Sequence, residues 1–148
     1  MRIRLLLALI GSAIGFVAPD LAQEPNTVDP EARHQIEELI DKHADAVNKK
    51  DTAAIAALYT QYAAQIHAWE SEGGLASGQQ AIEKRLAVEF ASSPSNLSHK
   101  LLQVYAIGND ICAITEWSLP PVDTKGHYEV TIYVREADTW KIRMAYVY

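Results

Sequence analysis

The chain has 148 residues, enough for one domain that buries roughly two-thirds of its surface on folding. Apolar residues make up 49% of the sequence and charged residues 22%, which is typical of a globular protein and not of a disordered chain. The formal net charge is −6 and no run of Lys or Arg is present. Nucleic acids and anionic membrane surfaces are therefore excluded as partners.

Residues 1–22 have the pattern of a secretory signal peptide. Arg2 and Arg4 supply a positive start, and an apolar run extends from Leu5 to Val17. This run is too short to span a bilayer, which needs about 20 helical residues. We expect cleavage after Ala22, a periplasmic or secreted location, and no membrane contact after cleavage. An uncleaved anchor is the alternative.

A flexible polar junction is expected over residues 23–29, and the domain itself over residues 30–148. Asp29 and Pro30 open the first helix, with Asp29 as the N-cap and Pro30 in the first turn. The helix ends at residues 48–50. Its apolar stripe has helical spacing and consists of Ile36, Leu39, Ile40, Ala44 and Val47.

Two further helices are predicted before the chain changes to strands. Asp51 is the expected N-cap of the second helix, whose apolar positions have helical spacing: Ile55, Leu58, Tyr59 and Tyr62. A short strand follows over residues 63–70. Ser77 and Gln80 form a capping-box pattern that predicts the start of a third helix, which ends at residues 92–95.

The remainder of the chain is predicted to form two hairpins. Ser98–Ile107 and Asp110–Leu119 flank the tight-turn signal Gly108-Asn109. After two prolines, Gly126–Glu136 and Thr139–Tyr148 have the same pattern. The order of elements predicts an α+β fold with the helices packed on one face of an antiparallel sheet.

Four short stretches, in this order, resemble the nuclear transport factor 2-like superfamily, which includes ketosteroid isomerases, SnoaL-like polyketide cyclases and SgcJ/EcaC-type proteins. They are NKKDT at 48–52, ALYT at 57–60, SGQQAI at 77–82 and TWKIRM at 139–144. The resemblance implies a cone-shaped fold: a curved antiparallel or mixed sheet, with three N-terminal helices covering its concave face, surrounds an apolar cavity. It also implies a homodimer, but not one activity.

The resemblance directs attention to two histidines. The tyrosine, the aspartate base and the protonated aspartate of ketosteroid isomerases fall here on His43, on His67 and near Thr131. None keeps the family's residue, so steroid isomerisation by that route is not expected. A histidine can act as an acid or a base near neutral pH, and we predict catalytic roles for His67 and His43. A structural histidine at the edge of the core is the alternative for each.

Further side chains are predicted to contact a ligand, namely Trp69, Tyr133, Thr131, Tyr59 and Glu116. Glu116 has two possible directions, into the cavity or onto the outer face. A one-residue shift would place Glu70 instead of His67 in the cavity, because side chains alternate along a strand. The two histidines could bind a metal together with Glu70 or Glu116, but the spacing forms no motif. No cofactor or metal is expected.

Two functions of different classes follow. The first is an exported domain that binds a small apolar molecule in an interior pocket, or transforms it by acid–base chemistry of the isomerase, cyclase or hydrolase type. The second is a non-catalytic interaction or dimerisation domain whose cavity is filled by its own side chains. In both cases we expect a homodimer formed through the outer face of the sheet.

Overall fold

The structure is a computed structural model, and it describes residues 28–68, 74–92, 96–120 and 123–148. The predicted signal peptide, Trp69 and Glu70 lie outside the described residues. Within these ranges no helix is both long and apolar enough to cross a membrane. The elements are α1 (Pro30–Asn48), α2 (Thr52–Ala57), β1 (Tyr59–His67), β2 (Leu75–Ser77), α3 (Gln79–Ser92), β3 (Ser98–Ile107), β4 (Asp110–Leu119), β5 (Asp123–Glu136) and β6 (Thr139–Val147).

Helix α1 forms as its sequence predicts. The Asp29 carboxylate accepts hydrogen bonds from the backbone N–H groups of Glu31 and Ala32, at 3.0 and 3.1 Å. All five residues of the predicted apolar stripe are buried. Lys50 has a φ of 55°, which ends the helical path, and the Asp51 carboxylate caps α2 through the N–H of Ala54 at 2.9 Å.

The second helix is shorter than predicted. It ends at Ala57, and Tyr59 and Tyr62 belong to strand β1. The N–H of Ile142 donates to the carbonyl of Leu58 at 2.9 Å, so pairing with β6 takes over where the helix stops. Tyr62 is 84% exposed, which shows that its helical spacing was fortuitous. Pairing between distant segments outweighs the local pattern here.

The predicted capping box is wrong in its first residue. Ser77 lies in strand β2, and α3 begins at Gln79. Gly78 makes the junction: its carbonyl accepts the first helical hydrogen bond from Ile82 at 3.1 Å, and its N–H donates to Ala63 at 2.7 Å. Its φ of +86° is a conformation that suits glycine.

In the described ranges, six strands form one mixed sheet in the order β2-β1-β6-β5-β4-β3, in which β1 and β6 are parallel and the other neighbours are antiparallel. The first hairpin has the predicted bounds, while β5 begins at Asp123, earlier than predicted, and β6 ends at Val147. The core lies between the helices and one face of the sheet, and it includes Ile36, Ile55, Tyr59 and Ile82. The α+β fold with three helices over one face of a mixed sheet is confirmed.

Candidate functional site

A cavity of about 320 Å³ lies between α1, α3 and the helix-covered face of the sheet. This volume is within the range of small-molecule sites. Much of its wall is apolar and includes Ile40, Val47, Leu86, Phe90, Leu97 and Ile142. The polar and aromatic part of the wall consists of His43, Gln65, His67, Glu89, His99, Thr115, Trp117, Glu129 and Tyr133.

Strand register brings several of these residues into one row across the sheet. His67 pairs with Val147, Val147 with Glu129, and Glu129 with Thr115. Directly paired residues in adjacent strands point to the same face, so all four side chains face the cavity. Gln65 begins the next row towards the core, followed by Ala145 and the residues paired with it.

His67 forms a pair with a glutamate on α3. Its Nδ1 atom is 3.3 Å from Glu89 Oε1, and the imidazole is buried while the carboxylate is partly exposed. Glu89 follows Ile82 and Leu86 at i+7 and i+3, which places it on the inward face of α3. A carboxylate beside one ring nitrogen orients the imidazole and stabilises its protonated form. This is the arrangement of a histidine used in acid–base chemistry.

Glu129 is the second carboxylate in the wall. The Thr131 hydroxyl donates to its Oε1 atom at 2.6 Å. Burial raises the pKa of Tyr133, and the nearby charge of Glu129 raises it further. Burial and Glu129 likewise raise the pKa of Tyr59. Both phenols therefore keep their protons at neutral pH, and the Tyr133 hydroxyl is hydrogen-bonded with Thr131.

Gln65 presents an unusual polar atom. The residue is 5% exposed, and its Oε1 atom is buried without a hydrogen-bond partner among the described residues. The side chain also hydrogen-bonds to Tyr59. A buried polar atom without a partner costs free energy unless a ligand or water completes it, so this oxygen marks a place where a donor is required.

His43 lies across the cavity on α1. Burial lowers the pKa of its imidazole, Glu129 opposes this shift, and His99 adds to it. His43 is therefore neutral near pH 7 and can both donate and accept a hydrogen bond. His99 also lines the cavity, and its Nε2 atom lies at hydrogen-bond distance, 3.1 Å, from Oδ1 of Asp41.

The stability of the chain is expected to fall as the pH drops below about 6.5, because of His43. The unfolded chain takes up a proton on this imidazole near pH 6.5, whereas burial delays uptake in the folded chain to a lower pH. The neutral imidazole thus contributes stability above the unfolded pKa, and this is lost as the pH falls towards the lowered folded pKa. Denaturant unfolding at several pH values measures the effect.

His43→Asn should flatten this pH profile relative to the natural chain. The control is His34→Asn, which alters a histidine on the exposed side of α1. Parallel profiles for the natural chain and the His43 variant would contradict the assignment of the pH effect to His43.

The structure brings three predicted site residues to the cavity and places three others elsewhere. His43, His67 and Tyr133 line it. Thr131, Tyr59 and Glu116 are not among the residues that line it, and Trp69 lies outside the described residues. The burial of Thr131 and Tyr59 and the position of Glu116 on the sheet explain why these side chains do not line the cavity.

Thr131 is 0% exposed and lies one row deeper than Glu129, whose carboxylate it binds. Tyr59 is enclosed in the hydrophobic core. Glu116 alternates with Thr115 along β4, so it lies on the outer face, where it pairs with Lys100 and Tyr128.

Several cavity residues were not predicted from the sequence, above all Glu129, Glu89 and His99. Glu129 could have been found, since it precedes Thr131 at the strand period of two. Glu89 could also have been found from its spacing on α3. His99 carried no such signal, because the direction of β3 relative to the helices depends on the assembled sheet. Within residues 28–68, 74–92, 96–120 and 123–148, no three His, Cys, Asp or Glu side chains form a group that could hold a metal ion.

No family model and no curated protein matches the sequence. Solved structures do match the fold. An NTF2-like protein of unknown function from Pseudomonas putida has a TM-score of 0.68 and 18% identity, covering 82% of this chain and 88% of that one. A ketosteroid isomerase-like protein from Erwinia carotovora has a TM-score of 0.66 and 15% identity, covering 80% and 96%.

An NTF2-like protein with a cystatin-like fold from Novosphingobium aromaticivorans has a TM-score of 0.65 and 16% identity, covering 79% of this chain and 80% of that one. Identities this low establish the fold and leave the activity open. The cone fold that the sequence resemblance implied is confirmed: this chain has the nuclear transport factor 2-like, cystatin-like cone fold.

Proposed function

We propose that this chain binds a small, largely apolar molecule in its cavity and that His67 acts on it as a general base or acid. One observation carries the proposal: a buried histidine paired with a carboxylate, His67 with Glu89, stands at an apolar cavity large enough for a small molecule. The fold of the chain supports it, since this fold is built around such a cavity.

The free energy of binding would come from apolar area removed from water, at roughly 25 cal/mol per Å². The Glu89 carboxylate would orient His67 and stabilise the imidazolium formed when the ring accepts a proton. His43 and the Tyr133 hydroxyl would serve as hydrogen-bond partners of the ligand. The chemistry would be proton transfer, the step shared by isomerases, cyclases and hydrolases of this general type.

The rival function, an interaction domain with a filled interior, has less support. Such a domain would need its own side chains to occupy the space between α1, α3 and the sheet, whereas the described residues leave about 320 Å³ open there. A cavity of that size forfeits packing contacts, which a ligand would restore.

Filling the cavity is expected to weaken binding of a neutral apolar probe, 2-(1-naphthyl)ethanol, without unfolding the chain. Ala44 is a buried cavity residue on α1, so Ala44→Phe would place a ring in the ligand's space. Titration calorimetry measures the loss, which should exceed about tenfold, the equivalent of about 1.4 kcal/mol. Ala87→Phe is the control, because Ala87 lies on the exposed side of α3. Equal binding by both variants, or none by the natural chain, would contradict the proposal.

We also propose that the chain is exported and forms a homodimer through the outer face of the sheet, the face turned away from the helices. Exposed tyrosines cluster there: Tyr148 stacks on Tyr128 at 5.7 Å between ring centres and lies 5.9 Å from Tyr146. Large aromatic side chains are enriched in protein interfaces. Sedimentation equilibrium should give twice the chain mass, and the mass of a single chain would contradict the dimer.

A further inference from the structure

Two residues with acceptor groups line the cavity from neighbouring rows of the sheet, Gln65 and Glu129. One acceptor is the buried Oε1 atom of Gln65, which has no hydrogen-bond partner among the described residues. The other is the carboxylate of Glu129, which accepts a hydrogen bond from the Thr131 hydroxyl at 2.6 Å. A carboxylate has about four lone-pair positions, so one hydroxyl leaves most of its accepting capacity for a ligand.

The charges around the cavity have one sign. Among the described residues, no lysine or arginine is part of its wall. Arg85 comes near, but it donates to the backbone carbonyl of Gln65 at 3.3 Å and is not a lining residue. Among the residues that line the cavity, the side chains that can carry a positive charge are histidines.

The histidines do not cancel the negative charge of the wall. If His67 is protonated, it neutralises Glu89, with which it is paired, and Glu129 remains. His43 is held neutral by burial, and His99 faces its own carboxylate, Asp41.

We propose that the ligand of this cavity is an apolar amine whose ammonium group donates hydrogen bonds to the Glu129 carboxylate and the Gln65 amide oxygen. This inference rests on the proposed function, because it assigns a ligand class to the same cavity. An ammonium group has three donors and no acceptor, which matches two acceptors and one negative charge. An anionic ligand would face Glu129 without a compensating cation and is disfavoured.

The apolar part of the amine has a complementary wall. Leu86 and Phe90 on α3, together with Ile40 on α1, belong to the helical wall of the cavity, which lies opposite the sheet. Trp117 also lines it and offers an aromatic ring to which a cation can be attracted. The helical side of the cavity thus supplies apolar contacts, and the sheet side supplies the two acceptor residues.

Three probes with one naphthyl body test the inference by titration calorimetry at neutral pH: 2-(1-naphthyl)ethylamine, 2-(1-naphthyl)ethanol and 1-naphthylacetate. The amine is expected to bind about ten- to a hundredfold more tightly than the alcohol, because hydrogen bonds to a charged group are stronger than neutral ones. The acetate should bind most weakly. This comparison uses the natural chain, so it stands even where a variant does not fold.

Glu129→Gln keeps the size of the side chain and removes its charge, so the preference for the amine over the alcohol should fall to about twofold or less. The matched control is Glu116→Gln, which makes the same change on the outer face and should preserve the preference. Gln65→Met, which removes the second acceptor, should weaken amine binding more than alcohol binding.

The outcomes separate this inference from the proposed function. Alcohol binding as tight as amine binding overturns the amine assignment and leaves the apolar-ligand proposal standing. A preference for the amine that survives Glu129→Gln also overturns the assignment. Failure of both the alcohol and the amine to bind overturns both proposals.

Discussion

Replacing His67 with alanine is expected to slow proton exchange at the α-carbon of 2-tetralone by about 10²- to 10⁴-fold, the usual contribution of a positioned acid or base. 2-Tetralone is a small apolar ketone whose α-hydrogen a base can remove, so it probes the chemistry proposed for the cavity. The imidazole lies beside the carboxylate of Glu89, which stabilises it once it has accepted the proton. Deuterium incorporation followed by proton NMR measures the rate.

Two variants make this experiment specific to His67. Glu89→Gln should cause a smaller loss than His67→Ala, because it removes the charge that supports the imidazolium and keeps the base. His34→Ala should have no effect, since His34 lies on the exposed side of α1. Unchanged exchange in the His67 variant would refute its role as a base. Exchange no faster than in buffer for the natural chain would indicate a binding site without base chemistry.

Ile36→Ala is expected to lower the free energy of unfolding by about 2–5 kcal/mol. Ile36 is 0% exposed and lies in the core, where α1 meets the rest of the domain. Its truncation loses the transfer free energy of the removed methyl and methylene groups and leaves a cavity in place of packed atoms. The loss is a large share of the 5–15 kcal/mol that is usual for a domain, so the variant should unfold at much lower urea concentration.

The control makes the same substitution at an exposed site. Ile107→Ala, at the end of β3, should change the free energy of unfolding by about 0.5 kcal/mol or less. A similar loss in both variants would contradict the idea that α1 is held to the domain through its buried stripe. Urea unfolding followed by circular dichroism gives both values.

The elements that the sequence predicted well depend on local interactions. The cap at Asp29 is a hydrogen bond between neighbours in sequence, and Gly108-Asn109 makes a turn that needs a positive φ, which Gly108 has at 61°. Such signals can be recognised within a few residues of the chain. The prediction of a longer second helix, which included Tyr59 and Tyr62, was wrong because these residues belong to a strand that forms by pairing with other segments, β6 and β2.

The residues of the candidate site also fall into two groups: some were indicated by the sequence, and others depend on contacts between distant segments. Resemblance and alternation directed attention to His43, His67 and Tyr133, all of which line the cavity. The partner of His67 could not be foreseen from β1 alone, because Glu89 comes from another element, α3. The direction of Glu116 stayed open for a similar reason: alternation identifies two faces of a strand, and only the assembled layers decide which one the helices cover.

The sequence by itself determined that this is an α+β domain with capped helices and two long hairpins, because periodicity, caps and turns are encoded within short segments. Tertiary structure alone decided the content of the cavity. The pairing of β1 with β6, of β6 with β5 and of β5 with β4 places His67, Glu129 and Thr115 in one row, and it places Gln65 in the next row on the same face. Strand register depends on contacts between distant segments, and a shift of one residue would turn each side chain to the other face.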